Sequence, residues 1–106
     1  MEMDRRAIEI ARKIKENLEK KGIKIEKIIL FGSRAKENYK KESDYDFIIV
    51  SKDFKDIPIF RRMEMVLDIK EDIDVICLTP EEFEREKNFL GSIVSYALKE
   101  GIEIKL

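Results

Sequence analysis

The chain has 106 residues, of which 42% are charged and 43% hydrophobic, and its formal net charge is −1. This length predicts one domain, residues 1–106, whose core is large enough to need no covalent staple. A single cysteine excludes an intramolecular disulfide, and the lack of histidine excludes histidine-ligated metals and histidine-based catalysis. The near-neutral charge argues against dedicated nucleic-acid binding, and no apolar run is long enough to span a membrane. We therefore expect a cytoplasmic protein.

Helical and strand patterns alternate along the chain, which predicts a layered α/β (α+β) fold. The first helix is predicted over residues 4–21, where apolar side chains recur at helical spacing, and Gly22 ends it. The other predicted elements are strands at 25–31, 44–50 and 72–78, helices from Pro58, from Pro80 and around residues 90–97, and an edge strand at 102–106.

The most informative feature is Gly32-Ser33, directly after a predicted strand. Glycine permits a tight turn because it has no Cβ. The free backbone N–H groups of such a turn, together with the Ser33 hydroxyl, form a concave anion site suited to phosphate. Arg34 adds a positive charge that can contact phosphate. For the lysines that follow we favour a solvated loop over phosphate contacts; they are Lys36, Lys40 and Lys41.

Two carboxylates follow in the next predicted strand. Asp44 and Asp46 are two residues apart, so their side chains point to the same face of the sheet. Carboxylates that converge repel each other unless a cation lies between them, and Mg²⁺ or Mn²⁺ prefers such oxygen ligands and shares them with phosphates. The pattern predicts a metal site beside a phosphate-binding turn, and thus nucleotide chemistry.

Asp74 is the candidate for a third carboxylate, which would complete a two-metal site. It lies within a predicted strand, where an unpaired buried carboxylate would cost several kcal/mol and therefore calls for a partner. A salt-bridged strand residue is the alternative interpretation. Asp72 shares the same face and is the weaker candidate, because it lies nearer the strand start and in water.

The segments Phe31-Gly32-Ser33-Arg34-Ala35 and Ser43-Asp44-Tyr45-Asp46-Phe47-Ile48-Ile49-Val50 closely resemble the minimal nucleotidyltransferase family, a small branch of the DNA polymerase β-like superfamily. The resemblance implies a nucleotidyltransferase fold, with a twisted mixed sheet flanked by helices, two Mg²⁺ ions and a nucleoside triphosphate donor. One departure is Glu37, where many relatives carry glycine; Asn38 can supply the turn one residue later.

The same resemblance assigns roles by position. Asp44 and Asp46 match the metal-binding pair and Asp74 the third carboxylate, while Gly32 and Ser33 match the triphosphate-binding turn. It implies a nucleotidyltransferase that moves AMP from ATP to a protein hydroxyl. The expected acceptor is a tyrosine of a HEPN-type helical toxin, for which this protein would be the antitoxin.

Two alternatives stay open. One is an antitoxin that masks its toxin by binding alone, and the other, less favoured, is a nucleotidyltransferase acting on a small molecule such as an antibiotic. A chain of this length would borrow its acceptor or its pocket walls from another chain, so a homo- or hetero-oligomer is expected.

The remaining candidates are predicted to be structural. Cys77 is expected to be a buried small apolar residue, and Met63 and Met65 are expected to pack their helix against the core. Arg61 and Arg62 are expected to be exposed helix residues rather than nucleotide ligands. Three aromatic residues near the carboxyl end are expected to pack in the core rather than form a partner surface; they are Phe83, Phe89 and Tyr96.

Overall fold

A computed structural model describes residues 4–35 and 44–106. Within these ranges the chain forms four α-helices and four strands: α1 (Arg5–Lys20), β1 (Lys27–Phe31), β2 (Tyr45–Val50), α2 (Ile59–Leu67), β3 (Ile73–Leu78), α3 (Pro80–Lys87), α4 (Ile93–Glu100) and β4 (Ile102–Glu103). Gly32–Ala35 forms one turn of 3-10 helix, here named the Gly32 turn, and Lys52–Phe54 forms another. In this part of the chain, no helix combines the length and apolarity needed to cross a membrane.

The strands form one mixed sheet in the order β3-β2-β1-β4. β1 runs antiparallel to β2 and β4, whereas β2 and β3 run parallel and are connected through α2. The predicted mixed sheet with flanking helices is therefore confirmed. The edge strand β4 is shorter than the predicted 102–106. Ile102 and Glu103 pair with β1, and the N–H of Ile104 still donates to the carbonyl of Ile28 at 2.9 Å.

Helix α1 forms because its apolar side chains recur on one face, and that face is buried: Ala7, Ile10, Ala11, Ile14 and Leu18. Asp4 caps its start by accepting the backbone N–H of Arg6 at 2.8 Å. Its end is a Schellman motif, in which the N–H of Ile23 donates to the carbonyl of Leu18 at 2.9 Å. Gly22 takes the left-handed conformation that this motif requires, with φ +85°, which confirms the predicted stop.

The two faces of the sheet have different covers. Alternate side chains of β2 and β3, including Phe47 and Val75, face α1 and α2 and form the larger core. The opposite set, including Ile48 and Leu78, packs under Phe83 of α3 and under α4. Asp46 and Asp74 share the parity of this second set, so they belong to the α3/α4 face.

Several predictions about apolar residues are confirmed. Cys77 is buried, and burial raises the pKa of its thiol to about 12, so it acts as a small apolar residue. Met63 and Met65 pack against the larger core, and Phe83 is buried. The prediction of core packing is wrong for Phe89 and Tyr96. Phe89 is exposed in the turn before α4, and Tyr96 is exposed on α4 itself.

Arg62 corrects another prediction, because it is buried rather than exposed. Its Nη1 donates to Glu82 Oε1 at 2.6 Å and to the carbonyl of Cys77 at 3.0 Å, and its Nε donates to the carbonyl of Ile57 at 2.8 Å. The long side chain thus joins α2, β3 and α3. Arg61 remains exposed, as expected.

Candidate active site at the start of two parallel strands

The site begins with two carboxylates on neighbouring strands. Asp46 is the second residue of β2 and Asp74 the second residue of β3, and the parallel register places them directly side by side. Neighbouring strands are about 4.8 Å apart, and residues in register point to the same face. The sequence prediction that Asp46 and Asp74 meet agrees with this geometry.

The surroundings of Asp46 oppose its ionisation. Partial burial raises the pKa of its carboxyl group, and the negative charges of Asp74 and Asp44 raise it further, as does a hydrogen bond shared with Asp74. A cation bound between the two carboxylates would offset their mutual repulsion, because each carboxylate is attracted to it. This end of the sheet is therefore electrostatically prepared for a cation.

Asp74 corrects one expectation, because its side chain is exposed rather than buried. The buried contacts of α3 and α4 are with side chains further along the strands, such as Ile48 and Leu78, and Asp74 precedes those positions. Asp72, the weaker candidate, is also exposed and lies before β3 begins.

Gly32 lies directly against the carboxylate pair. A Cβ added at this residue would overlap Oδ2 of Asp46 and would lie 3.3 Å from its Cγ. Gly32 also has φ +72°, a conformation that side chains other than glycine rarely adopt. Glycine is thus required twice, by backbone conformation and by the approach of the turn to Asp46.

The other predicted turn residues are placed as follows. Arg34 lies in the Gly32 turn with its side chain only 9% exposed, and its guanidinium stacks 4.4 Å from the centre of the Tyr45 ring. Its contact with phosphate stays a prediction. The Ser33 side chain lies outside the described part of the structure, and so do five residues singled out in the sequence: Lys36, Glu37, Asn38, Lys40 and Lys41.

The donor set fits a hard divalent cation in part. In the described ranges, no three acidic or cysteine side chains lie close enough to hold a metal ion by themselves. The structure supplies the Asp46–Asp74 pair, with the exposed Asp44 carboxylate near enough to affect Asp46. Mg²⁺ commonly takes one or two protein carboxylates and completes its shell with phosphate oxygens and water. The oxygen pair beside the Gly32 turn is compatible with that mode of binding.

Sequence reasoning missed two residues, Tyr45 and Asp4. Tyr45 lies between Asp44 and Asp46, and its hydroxyl donates to Oδ2 of Asp4 at 2.7 Å. The Nη1 of Arg34 lies 3.7 Å from the same Asp4 oxygen. The position of Tyr45 between the two aspartates was a visible signal, but nothing in the sequence connects it with Asp4, because that contact is tertiary.

Helix α4 contacts the Gly32 turn. The segment from residue 89 to 96, which covers the turn before α4 and the first four residues of the helix, carries four exposed large apolar side chains, which we name the α4 patch: Phe89, Leu90, Ile93 and Tyr96. Leu90 was predicted within the helix, but α4 begins at Ile93 after the Ser92 cap, and Leu90 is 87% exposed in the preceding turn.

Comparisons with known proteins agree with the geometry. Residues 12–104 match the model of the family described as polymerase beta, nucleotidyltransferase. A crystal structure from Sulfolobus solfataricus, of a protein provisionally named a nucleotidyltransferase, is similar with a TM-score of 0.63 and 29% sequence identity. The similarity covers 92% of this chain and 78% of that one. No protein among the curated ones is significantly similar to this chain.

Proposed function

Because this chain belongs to the polymerase β nucleotidyltransferase family and has a nucleotidyltransferase fold, we propose that it transfers AMP from ATP to a protein hydroxyl. The observation that carries the proposal is the close approach of the Gly32 turn to Asp46, which lies in register with Asp74. A phosphate-binding turn and a metal-binding pair are the two parts that transfer from a triphosphate requires.

We assign the metal ligands to Asp44, Asp46 and Asp74, with two Mg²⁺ ions as the cofactor and Mn²⁺ as a substitute. Bound Mg²⁺ supplies neutralisation of the triphosphate charge and lowers the pKa of an attacking oxygen. Ligation also relieves the repulsion within the Asp46–Asp74 pair, which supports this assignment. Members of this family typically use nucleoside triphosphates and divalent metals.

The protein residues position the reactants for one displacement at phosphorus. In this proposal the backbone N–H groups of Gly32 and Ser33 hold the β- and γ-phosphates. The Arg34 guanidinium, which stacks on Tyr45 at the other face of the sheet, adds positive charge without touching them. Asp74 takes the proton of the acceptor hydroxyl, whose oxygen forms a bond to the α-phosphorus. The bond from the α-phosphorus to the bridging oxygen breaks, and pyrophosphate leaves. Positioning and charge neutralisation supply most of the rate.

The α4 patch supports a macromolecular acceptor. Contiguous exposed apolar side chains on a protein of this size are typical of binding surfaces, and this patch adjoins a helix that contacts the Gly32 turn. We propose that a protein bound there presents its hydroxyl group to the Asp46–Asp74 pair. Together with the resemblance to minimal nucleotidyltransferases, this supports a HEPN-type toxin as partner, modified on tyrosine, with this protein as its antitoxin.

The test is transfer of label from α-labelled ATP to the protein encoded next to this chain, in the presence of Mg²⁺. We expect labelling by the wild-type protein, and its loss with Asp44→Asn and with Asp74→Asn. Asp72→Asn is the matched control, because Asp72 is an exposed aspartate two residues from Asp74, and it should keep transfer.

Two further outcomes distinguish the alternatives. If the Asp44→Asn protein, without nucleotide, inhibits the activity of the neighbouring protein as well as wild type does, the protein acts by binding alone. Label that appears only on an added antibiotic or another small molecule would also contradict the proposed protein acceptor.

A further inference from the structure

Three side chains meet on the sheet face opposite the carboxylate pair. Oδ2 of Asp4 accepts the hydroxyl of Tyr45 at 2.7 Å, and the guanidinium of Arg34 lies 3.7 Å from the same oxygen. Arg34 also stacks on the Tyr45 ring at 4.4 Å. The side chains of Asp4 and Arg34 are only 12% and 9% exposed, so this contact is largely shielded from water.

Each of the three residues belongs to a different part of the fold. Asp4 caps the start of α1, Arg34 lies in the Gly32 turn, and Tyr45 is the first residue of β2. The three residues, which we name the Asp4 cluster, therefore connect the turn and the strand to a long helix whose buried face anchors it in the core.

We propose that Asp4 is a positioning residue, which holds the Gly32 turn and the start of β2 at the separation needed for metal and nucleotide binding; this inference rests on the proposed function. Tyr45 faces the larger core, whereas Asp46, the next residue, faces the opposite side. Fixing the Tyr45 side chain restricts rotation of the strand start, and so restricts the Asp46 carboxylate.

The geometry of Gly32 makes this separation critical. The turn already lies so close to Asp46 that a methyl group would not fit between them. A small change in the position of the turn or strand would close this gap or widen it. The hydrogen bond and the ion pair that Asp4 makes are shielded, so they resist such changes more strongly than exposed contacts do, because water competes less for their partners.

Two substitutions remove the cluster with minimal change of shape. Asp4→Asn keeps one oxygen for the α1 cap but loses the negative charge that faces Tyr45 and Arg34. Tyr45→Phe keeps the ring, which stacks on Phe47 and under Arg34, and loses only the hydroxyl. Asp68→Asn is the control, because it removes the ion pair between Asp68 at the end of α2 and Lys21, which follows the last residue of α1 at the end opposite Asp4.

The first measurement is Mn²⁺ affinity in the presence of a non-hydrolysable ATP analogue, far below the melting temperature. Residues that orient metal ligands from outside the coordination shell typically change metal affinity by about 10–100-fold. We expect Asp4→Asn to weaken Mn²⁺ binding by about tenfold, with Tyr45→Phe less affected and Asp68→Asn unchanged. Equal affinities in wild type and Asp4→Asn, or an equal loss in Asp68→Asn, would overturn the inference.

The second measurement does not need a ligand. Amide hydrogen exchange at residues 33–35 and 45–46 should be faster in Asp4→Asn than in wild type, while exchange in α2 and β3 stays the same. If wild type binds neither Mn²⁺ nor the nucleotide analogue, the proposed function fails, and exchange alone decides the positioning role. Unchanged exchange at those amides would then overturn it.

Discussion

At the scale of single residues, the site depends on the contact between Gly32 and Asp46. Gly32 and Gly22 both have positive φ values, +72° and +85°, but their surroundings differ. An added Cβ at Gly22 has no heavy atom within 4 Å, whereas at Gly32 it overlaps the Asp46 carboxylate. Comparing the two glycines therefore separates the effect of backbone strain, which both share, from that of steric overlap, which only Gly32 has.

This difference predicts distinct outcomes for two alanine substitutions. Gly22→Ala and Gly32→Ala should each destabilise the protein by about 1–2 kcal/mol, because alanine is strained at positive φ. Gly32→Ala should in addition abolish binding of Mn²⁺ and a nucleotide analogue, since the new methyl group displaces Asp46. Urea unfolding and calorimetric titration measure the two effects. Equal nucleotide binding by both variants would contradict the assigned site.

Asp46 itself should reduce the stability of the metal-free protein. Its raised pKa means that, between the ordinary aspartate pKa of 3.8 and the raised one, the folded state binds more protons than the unfolded state. The free energy of unfolding therefore falls as pH rises through that interval. Above the raised pKa both states are ionised, and the folded state keeps the full penalty.

We therefore expect Asp46→Asn to raise the free energy of unfolding at neutral pH without metal. The gain should stay below about 1 kcal/mol, because the carboxylate is partly solvated and its repulsion is screened. It should disappear at about pH 3, below the pKa of an ordinary aspartate, where the wild-type carboxyl is neutral in both states. Thermal unfolding across pH measures this, and a variant less stable than wild type at neutral pH would contradict it.

At the scale of elements, α3 begins with a cap that is shared with a buried arginine. Thr79 and Glu82 form a reciprocal capping box, in which Glu82 accepts the N–H of Thr79 at 2.8 Å. Glu82 also pairs with the buried Arg62, whose hydrogen bonds lower the pKa of the Glu82 carboxyl. The Glu82 carboxylate therefore joins the start of α3 to α2, and Arg62 extends the contact to β3 through the Cys77 carbonyl.

This double role predicts a large effect of Glu82→Ala. The substitution removes part of the α3 cap and leaves a buried guanidinium without its carboxylate, so we expect a loss of about 2–4 kcal/mol in unfolding free energy. Glu84→Ala in the same helix breaks only a largely exposed pair with Lys87 and should cost less than about 0.5 kcal/mol. Urea denaturation of both variants measures the difference, and similar losses would show that Arg62 is satisfied by its carbonyl partners.

At the scale of the whole molecule, the two faces of the sheet serve different purposes. The α1/α2 face carries the larger core, whereas on the other face Asp74 is exposed at the start of its strand. The candidate carboxylates lie on that face, and the α4 patch lies in the turn before α4 and on the start of that helix, which covers part of the face. Helices cover both faces, but on the second face the cover leaves Asp74 at the start of β3 exposed and available to substrates.

The α4 patch should therefore contribute to partner recognition without contributing to nucleotide binding. We expect Leu90→Asp to weaken binding of the neighbouring protein by roughly tenfold or more, because a charge in the centre of an apolar interface is costly. Ile59→Asp is the matched control, since Ile59 is also exposed, at 57%, but lies on α2. Calorimetry with the partner and with a nucleotide analogue separates the two effects, and equal partner affinity in both variants would contradict the proposed surface.

Local sequence patterns predicted much of the fold and part of the candidate site. The apolar spacing in α1, the stop at Gly22 and the glycine–serine turn followed by two aspartates were readable because each depends on neighbouring residues. Asp44 and Asp46 were predictable as a pair because residues two apart in a strand point to the same face.

Only the tertiary structure decided which distant segments of the chain contact one another. The register that pairs Asp46 with Asp74, the burial of Arg62 against Glu82 and the contact of Asp4 with Tyr45 each join residues far apart in the chain. Such contacts depend on how helices and strands pack, and a local pattern contains no information about that geometry. The exposure of Asp74 follows from the same cause, because the placement of α3 and α4 decides which part of the sheet stays open.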